Sequence, residues 1–64
     1  MVVGRAPSRV AVSPWHVVAL EDYGDVVCAV TVAKVYCARP SDVRVEVLFG
    51  QEVLVMESPT VERV

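Results

Sequence analysis

D-V-V-C-A-V-T-V-A-K-V-Y-C-A, residues 25–38, is the longest apolar run of this chain, and the rest of the fold must cover it. Its valines and threonine are β-branched, lose χ1 freedom in a helix and favour strands. Apolar residues occupy both parities of the run, so neither face of the strand is predicted to lie against water. Periodicity alone leaves a helix open, because a continuous apolar run does not discriminate between the two. Residues 26–38 contain no Gly, Pro, Asn or Asp to mark a tight turn. We therefore predict one long strand, coiled or bent near Ala33 and Lys34, rather than a hairpin.

The two cysteines test this prediction. Cys28 and Cys37 lie nine residues apart within the run. One extended strand would hold their Cα atoms about 30 Å apart, whereas a disulfide needs about 4.4–6.8 Å. An internal bridge therefore requires the chain to reverse between them. The amino end has an arginine after its first apolar residues and no apolar core typical of a secretion signal. We accordingly expect reduced, buried thiols.

The composition predicts a surplus of apolar side chain. The 64 residues suffice for one small domain, residues 1–64, of which residues 1–7 are expected to be a flexible amino arm. Hydrophobic residues make up 55% of the chain and 18 positions are valine. A monomer of this size buries only about 60% of its unfolded surface. We therefore expect self-association or a partner protein, with a compact monomer as the alternative.

The charge and its distribution narrow the function classes. The net charge is −2 and the pI is near 5.1, which does not favour nucleic-acid binding driven by bulk electrostatics. Arg5 and Arg9 form the nearest approach to a basic patch and are expected to be solvated. Charges or prolines interrupt every window of about 20 residues, so no membrane-spanning helix is predicted. We expect a cytoplasmic protein.

The segments on either side of the central run also read as strands. The four prolines fall between apolar runs, as is typical of strand boundaries. Residues 8–13 predict a first strand with Val10 and Val12 on one face. Residues 15–21 predict a second strand. Residues 22–25, D-Y-G-D, form the best turn in the chain, so this second strand should pair with the central run as an antiparallel hairpin.

The carboxyl-terminal half shows the clearest alternation. Val43, Val45, Val47 and Phe49 alternate with Arg44 and Glu46, which predicts a strand with a buried valine face and a wet charged face. Gly50 and Gln51 suit a two-residue turn with glycine first. Residues 52–57 should return as the next strand, and residues 60–64 as an edge strand or a tail.

Together these segments predict an all-β fold, a small five- to six-stranded antiparallel barrel or curled sheet of the SH3-like or OB-like kind. A two-layer open sheet completed by a second subunit is the alternative. The sequence L-F-G-Q-E-V-L-V, residues 48–55, followed by V-E-R-V, residues 61–64, resembles part of the CooT family of small metal-maturation proteins. That family's amino-terminal Met-Cys has no counterpart here, since Val2 occupies the place, so the resemblance does not imply its metal role.

Few residues suggest chemistry. The chain's one histidine, His16, has no metal-ligand spacing to the cysteines, and no base-oriented nucleophile or phosphate-binding glycine motif is present. We therefore predict no enzyme activity, no cofactor and no metal site. The candidate binding face combines an aromatic residue with basic ones: Lys34, Tyr36, Arg39 and Arg44.

Three functional hypotheses follow, in order of preference. The first is a non-enzymatic structural or interaction module that self-associates, or acts as an accessory subunit, through a valine-rich surface. The second is a small barrel that binds nucleic acid. The third is a metal or redox carrier that uses the thiols.

Overall fold

Two antiparallel sheets make up this protein, as a computed structural model that describes residues 8–64 shows. One sheet has the strand order β1-β6-β5 and the other β2-β3-β4-β7. The all-β prediction is confirmed, with seven strands in this part of the chain rather than five or six. The predicted amino arm, residues 1–7, lies outside the described residues. The elements are β1 (Arg9–Val12), a 3₁₀ helix (Pro14–His16), β2 (Val17–Asp22), β3 (Val27–Thr31), β4 (Lys34–Ala38), a second 3₁₀ helix (Pro40–Asp42), β5 (Val43–Leu48), β6 (Gln51–Glu57) and β7 (Thr60–Arg63).

The central run is a hairpin and not one long strand. β3 and β4 pair antiparallel in a register that sets Val30 opposite Val35. The prediction of extended, valine-rich chain is confirmed, but the prediction of a bent single strand is wrong. Both parities of the run are covered in part: Ala29 and Ala38 belong to the core, and Cys28, on the opposite face, is buried as well.

A side chain replaces the missing turn signal in this hairpin. The Thr31 hydroxyl donates to the Lys34 carbonyl at 2.8 Å, and the Thr31 hydroxyl oxygen accepts from the Lys34 N–H at 3.0 Å. Threonine hydroxyls close turns in this way without a left-handed residue. The Ala33 carbonyl accepts from the N–H of Val64 at 3.1 Å, which ties the turn to the end of β7.

The reversal brings the two cysteines together. Cys28 and Cys37 are directly opposite in the register and form a disulfide, with their Cα atoms 4.1 Å apart. This spacing is close to the roughly 4.5 Å of a non-hydrogen-bonded antiparallel pair. The expectation of reduced thiols is therefore wrong. The chain reverses between the two cysteines, which is the condition that an internal bridge requires.

The first hairpin is confirmed. β2 and β3 pair antiparallel, with one register shift between Val17 and Ala19. Gly24 takes φ = 89°, and its N–H donates to the Asp22 carboxylate at 2.8 Å. The predicted second strand begins two residues later than expected, because Trp15 and His16 belong to the 3₁₀ helix that starts at Pro14.

The turn between β5 and β6 lies one residue earlier than predicted. Leu48 pairs with Gln51, so Phe49 and Gly50 are the two central residues, with φ of 50° and 77°. Positive φ at both positions is the type I′ geometry that matches strand twist. Glycine supplies the second position, not the first, and Phe49 occupies a conformation that is costly for a bulky residue.

The core between the sheets is small. Leu54 and Met56 of β6 pack against Ala29 of β3 and Ala38 of β4, with Val17, Tyr36 and Val43 at the periphery. Two of the four central residues are alanines, so the sheets approach closely at β6, β3 and β4. The outer strands β2 and β5 reach this cluster only through Val17 and Val43, and the residues further along them are exposed. Residues 60–63 form an edge strand as predicted, paired with β4.

Candidate functional site

Exposed apolar side chains gather on β2 and β5, the edge strands of the two sheets. Val18 and Leu20 of β2 are 67% and 57% exposed, and Val45 and Val47 of β5 are 63% and 69% exposed. Val18, Leu20 and Val45 line a groove of about 400 Å³, which is also lined by Val17, Leu54 and one charged residue, Glu52. We call these four exposed residues and the groove between them the apolar cleft.

The cleft exists because the core is too small to cover all the side chains that face the space between the sheets. In the β5–β6 register Val45 is opposite Leu54, and in the β2–β3 register Leu20 is opposite Ala29, so each exposed residue shares a face with a core residue. These side chains point toward the space between the sheets but lie beyond the part that the opposite sheet covers. The predicted buried valine face of β5 is thus wrong beyond Val43. Phe49 is fully exposed at the turn.

The opposite face of the three-stranded sheet is charged and tightly paired. Arg9 contacts Glu46 at 2.9 Å and Glu57 at 3.6 Å. Arg44 pairs with Glu46 and, at 2.7 Å, with Glu57. The Arg9–Glu46 pair spans β6 at the position of Val55, which is fully buried although it faces away from the core. We call Arg9, Arg44, Glu46 and Glu57 the charged quartet.

Contacts within the quartet shift the pKa values of two of its members, Glu46 and Arg44. Hydrogen bonding from Arg44 lowers the pKa of Glu46, with further lowering by the positive charges of Arg44 and Arg9 and partial opposition from desolvation. Hydrogen bonds to Glu57 and Glu46 raise the pKa of Arg44. Both shifts favour the charged forms of Arg44 and Glu46, as expected for a carboxylate and a guanidinium in direct contact.

The structure divides the predicted binding face among separate surfaces. Lys34 and Tyr36 lie on one side of β4, and Tyr36 packs against the core. Arg39 pairs with Asp42 at 2.9 Å. Arg44 belongs to the quartet, on the far side of the other sheet. Two of the three basic side chains are therefore already matched by carboxylates, and the four residues do not converge.

A second groove is lined in part by His16, for which the sequence predicted no chemical partner. His16 lies edge-on to Trp15, with ring centroids 6.0 Å apart at an angle of 68°. Both residues, with Tyr36 and Thr31, line a groove of about 390 Å³. Among residues 8–64, no Asp, Glu, Lys or Arg side chain lines this groove, so its lining favours apolar contact over acid–base chemistry. Its composition could not be predicted, because it joins side chains of residues 10–18 to side chains of residues 31–36, which only the fold brings together.

The remaining sequence hypotheses concern metals and membranes. Within residues 8–64 no three His, Cys, Asp or Glu side chains lie close enough together to hold a metal ion. With the disulfide formed, neither cysteine offers a free thiolate. The same residues include no helix of the length and hydropathy needed to cross a bilayer.

Comparisons of the chain with protein-family models, with curated proteins and with solved structures found no match. The resemblance to the CooT family thus rests on residues 48–55 and 61–64 alone. In the structure these form the β5–β6 turn with β6 and, near the carboxyl end, β7.

Proposed function

We propose that this protein is a non-enzymatic structural or interaction module that associates with itself, or serves as an accessory subunit, through its valine-rich apolar surface. The apolar cleft carries the proposal. Four large apolar side chains on two neighbouring strand edges are each more than half exposed. Isolated exposed apolar residues are ordinary, but a contiguous group around a groove is typical of protein–protein contact sites.

The cleft also bears on the finer description of the fold. An SH3-like or OB-like barrel would need the two sheets to join along their edges. The gap between β2 and β5 is where such a barrel would remain open. We propose that a second chain fills this gap, which is the two-layer arrangement completed by another subunit.

The native mass tests the proposal. We expect sedimentation at micromolar concentration to give at least twice the 7.0 kDa of the single chain. A Leu20→Glu variant places a charge in the cleft and should sediment as the 7.0 kDa chain. Val32→Glu is the matched control, since Val32 is also exposed but lies at the β3–β4 turn, and this variant should associate like the parent.

A parent protein that sediments as a 7.0 kDa monomer would rule out self-association. Equal masses for the two glutamate variants would remove the cleft from the contact. Binding of a random oligonucleotide that weakens steeply with salt would instead support the nucleic-acid hypothesis.

The cytoplasmic location remains a prediction. A structural disulfide is most common in oxidising compartments, although intracellular proteins of hyperthermophiles also contain them. Determining the state of Cys28 and Cys37 in freshly lysed native cells, with free thiols blocked at lysis, would test it.

A further inference from the structure

We propose that two copies of this chain pair through β5, edge to edge and antiparallel, with a two-fold axis at Val45. This inference rests on the proposed self-association and adds its register. It starts from the sequence of the strand. Residues 43–47 read V-R-V-E-V. Reversing this segment around Val45 places valine on valine and exchanges the positively charged Arg44 with the negatively charged Glu46.

Of the four edge strands within residues 8–64, β5 is the least protected. Edge strands usually avoid new pairing by being short, by carrying a bulge or by placing prolines and charges along the edge. β1 and β7 have 4 residues each, and β2 has a register shift. β5 has 6 residues, pairs with β6 without a shift and contains no proline. Among the described strands it is therefore the best template for a further strand.

The hairpin geometry identifies which backbone groups are free. The two-residue turn makes Leu48 and Gln51 a hydrogen-bonded pair, and such pairs alternate along an antiparallel ladder. Leu48, Glu46 and Arg44 consequently direct their N–H and C=O groups toward β6. Val43, Val45 and Val47 direct theirs outward. Of these, the Val43 N–H already donates to the Pro40 carbonyl.

The free groups and the charges select the same register. Outward groups at the three valines permit a two-fold axis at Val43, Val45 or Val47. An axis at Val43 brings the second copy against the 3₁₀ helix, and an axis at Val47 sets Glu46 opposite Leu48. An axis at Val45 sets Arg44 opposite Glu46 of the other copy twice. It also allows four hydrogen bonds: two between the Val45 residues and two from Val47 N–H to Val43 carbonyls.

The pairing makes each face of the sheet continuous across the two copies. A two-fold axis perpendicular to the sheet keeps all valines on one side and all charges on the other. On the charged side the two quartets become one alternating network, since a guanidinium has five N–H donors and Arg44 uses only some of them. On the apolar side the two clefts face each other, which adds the exposed side chains of β2 to the area that strand pairing buries.

Cross-linking through cysteine tests the register. Val45→Cys places two thiols on the axis, with Cα atoms about 5.5 Å apart as in a hydrogen-bonded pair, within the disulfide range. Val47→Cys is the matched control on the same face with similar exposure. Four residues of offset separate its two copies by about 14 Å, which no disulfide spans. With diamide as oxidant, we expect most of Val45→Cys to become a covalent dimer and Val47→Cys to remain single chains. Peptide mapping would confirm the 45–45 link and the intact native disulfide.

The outcomes separate this inference from the proposed function. A parent dimer in which Val45→Cys fails to cross-link would overturn the β5 pairing and leave self-association standing. Cross-linking of Val47→Cys instead of Val45→Cys would move the axis and overturn the register. A parent monomer would overturn the β5 pairing together with self-association, and would leave only the accessory-subunit form of the proposed function.

Discussion

The two hairpins β3–β4 and β5–β6 have connections of equal length but opposite surroundings. β3 and β4 each have a neighbour on both sides, and Cys28–Cys37 links them covalently. In β5–β6, β6 lies between two strands whereas β5 has an open edge. The first hairpin is closed by a threonine side chain, and the second by left-handed backbone at Phe49 and Gly50.

The difference shows how apolar pattern relates to position in a sheet. The run with apolar residues at both parities occupies the centre of the four-stranded sheet, where both of its edges and most of one face are covered. The alternating V-R-V-E-V segment occupies an edge, where its charged face pairs within the chain and its valine face remains open. The closed hairpin is therefore covered on both edges, whereas the open one joins the core strand β6 to an exposed strand, β5. The following predictions test this division.

The largest effect is expected from the disulfide. Closing a loop over a separation of 9 residues stabilises the native state by about 2.5 kcal/mol in the chain-entropy model. Reduction should therefore lower the free energy of unfolding by that amount, measured by denaturant titration with and without dithiothreitol. The double variant Cys28→Ala/Cys37→Ala should show no response to reductant. An unchanged midpoint for the parent after confirmed reduction would contradict the closed-hairpin interpretation.

The Thr31 turn should have an intermediate effect. Thr31→Val keeps the shape of the side chain but removes both hydrogen bonds with Lys34, at a cost of about 1 kcal/mol. The melting temperature should fall by about 4–8 °C for a domain of this size. Thr31→Ser retains the hydroxyl and should lose less. Equal melting temperatures for the two variants would mean that the hydroxyl does not hold the turn.

The turn of the open hairpin should respond in the opposite direction. Phe49→Asn replaces a bulky residue at φ = 50° with one that tolerates this conformation, and should stabilise the fold by about 0.5–1 kcal/mol. Val32→Asn is the control, at the other turn, where the backbone is not left-handed. Thermal melts would compare the two. Stabilisation by Val32→Asn and not by Phe49→Asn would contradict the assigned turn types.

The smallest effect is the pH dependence of the quartet. The lowered pKa of Glu46 means that its contribution is complete above the unfolded value of about 4.3 and is lost as pH falls through the lower folded value. Glu46→Gln should therefore lose less stability than the parent between pH 6 and pH 3. Glu52→Gln, outside the quartet, serves as control. A parent and Glu46→Gln with parallel stability profiles over this range would contradict the shift.

Much of the strand content could be predicted because it depends on local chemistry. β-Branched runs, strict alternation and the D-Y-G-D turn each predicted an element that the structure contains. The hairpin within residues 26–38 could not, since the turn has no backbone signal and depends on one hydroxyl. The ion pairs that occupy the basic residues of the candidate binding face could not all be predicted from the sequence. Pairs in the quartet such as Arg9–Glu46 join positions 37 residues apart, and only the fold brings these together.

That this chain is extended, valine-rich and too apolar to cover all its side chains follows from side-chain branching and composition, and can be deduced from the residues alone. Which valines are covered depends on how the two sheets stack. The core closes on two alanines at the centre of the sheets, so the edge strands β2 and β5 keep their apolar faces open, and no local pattern carries that information.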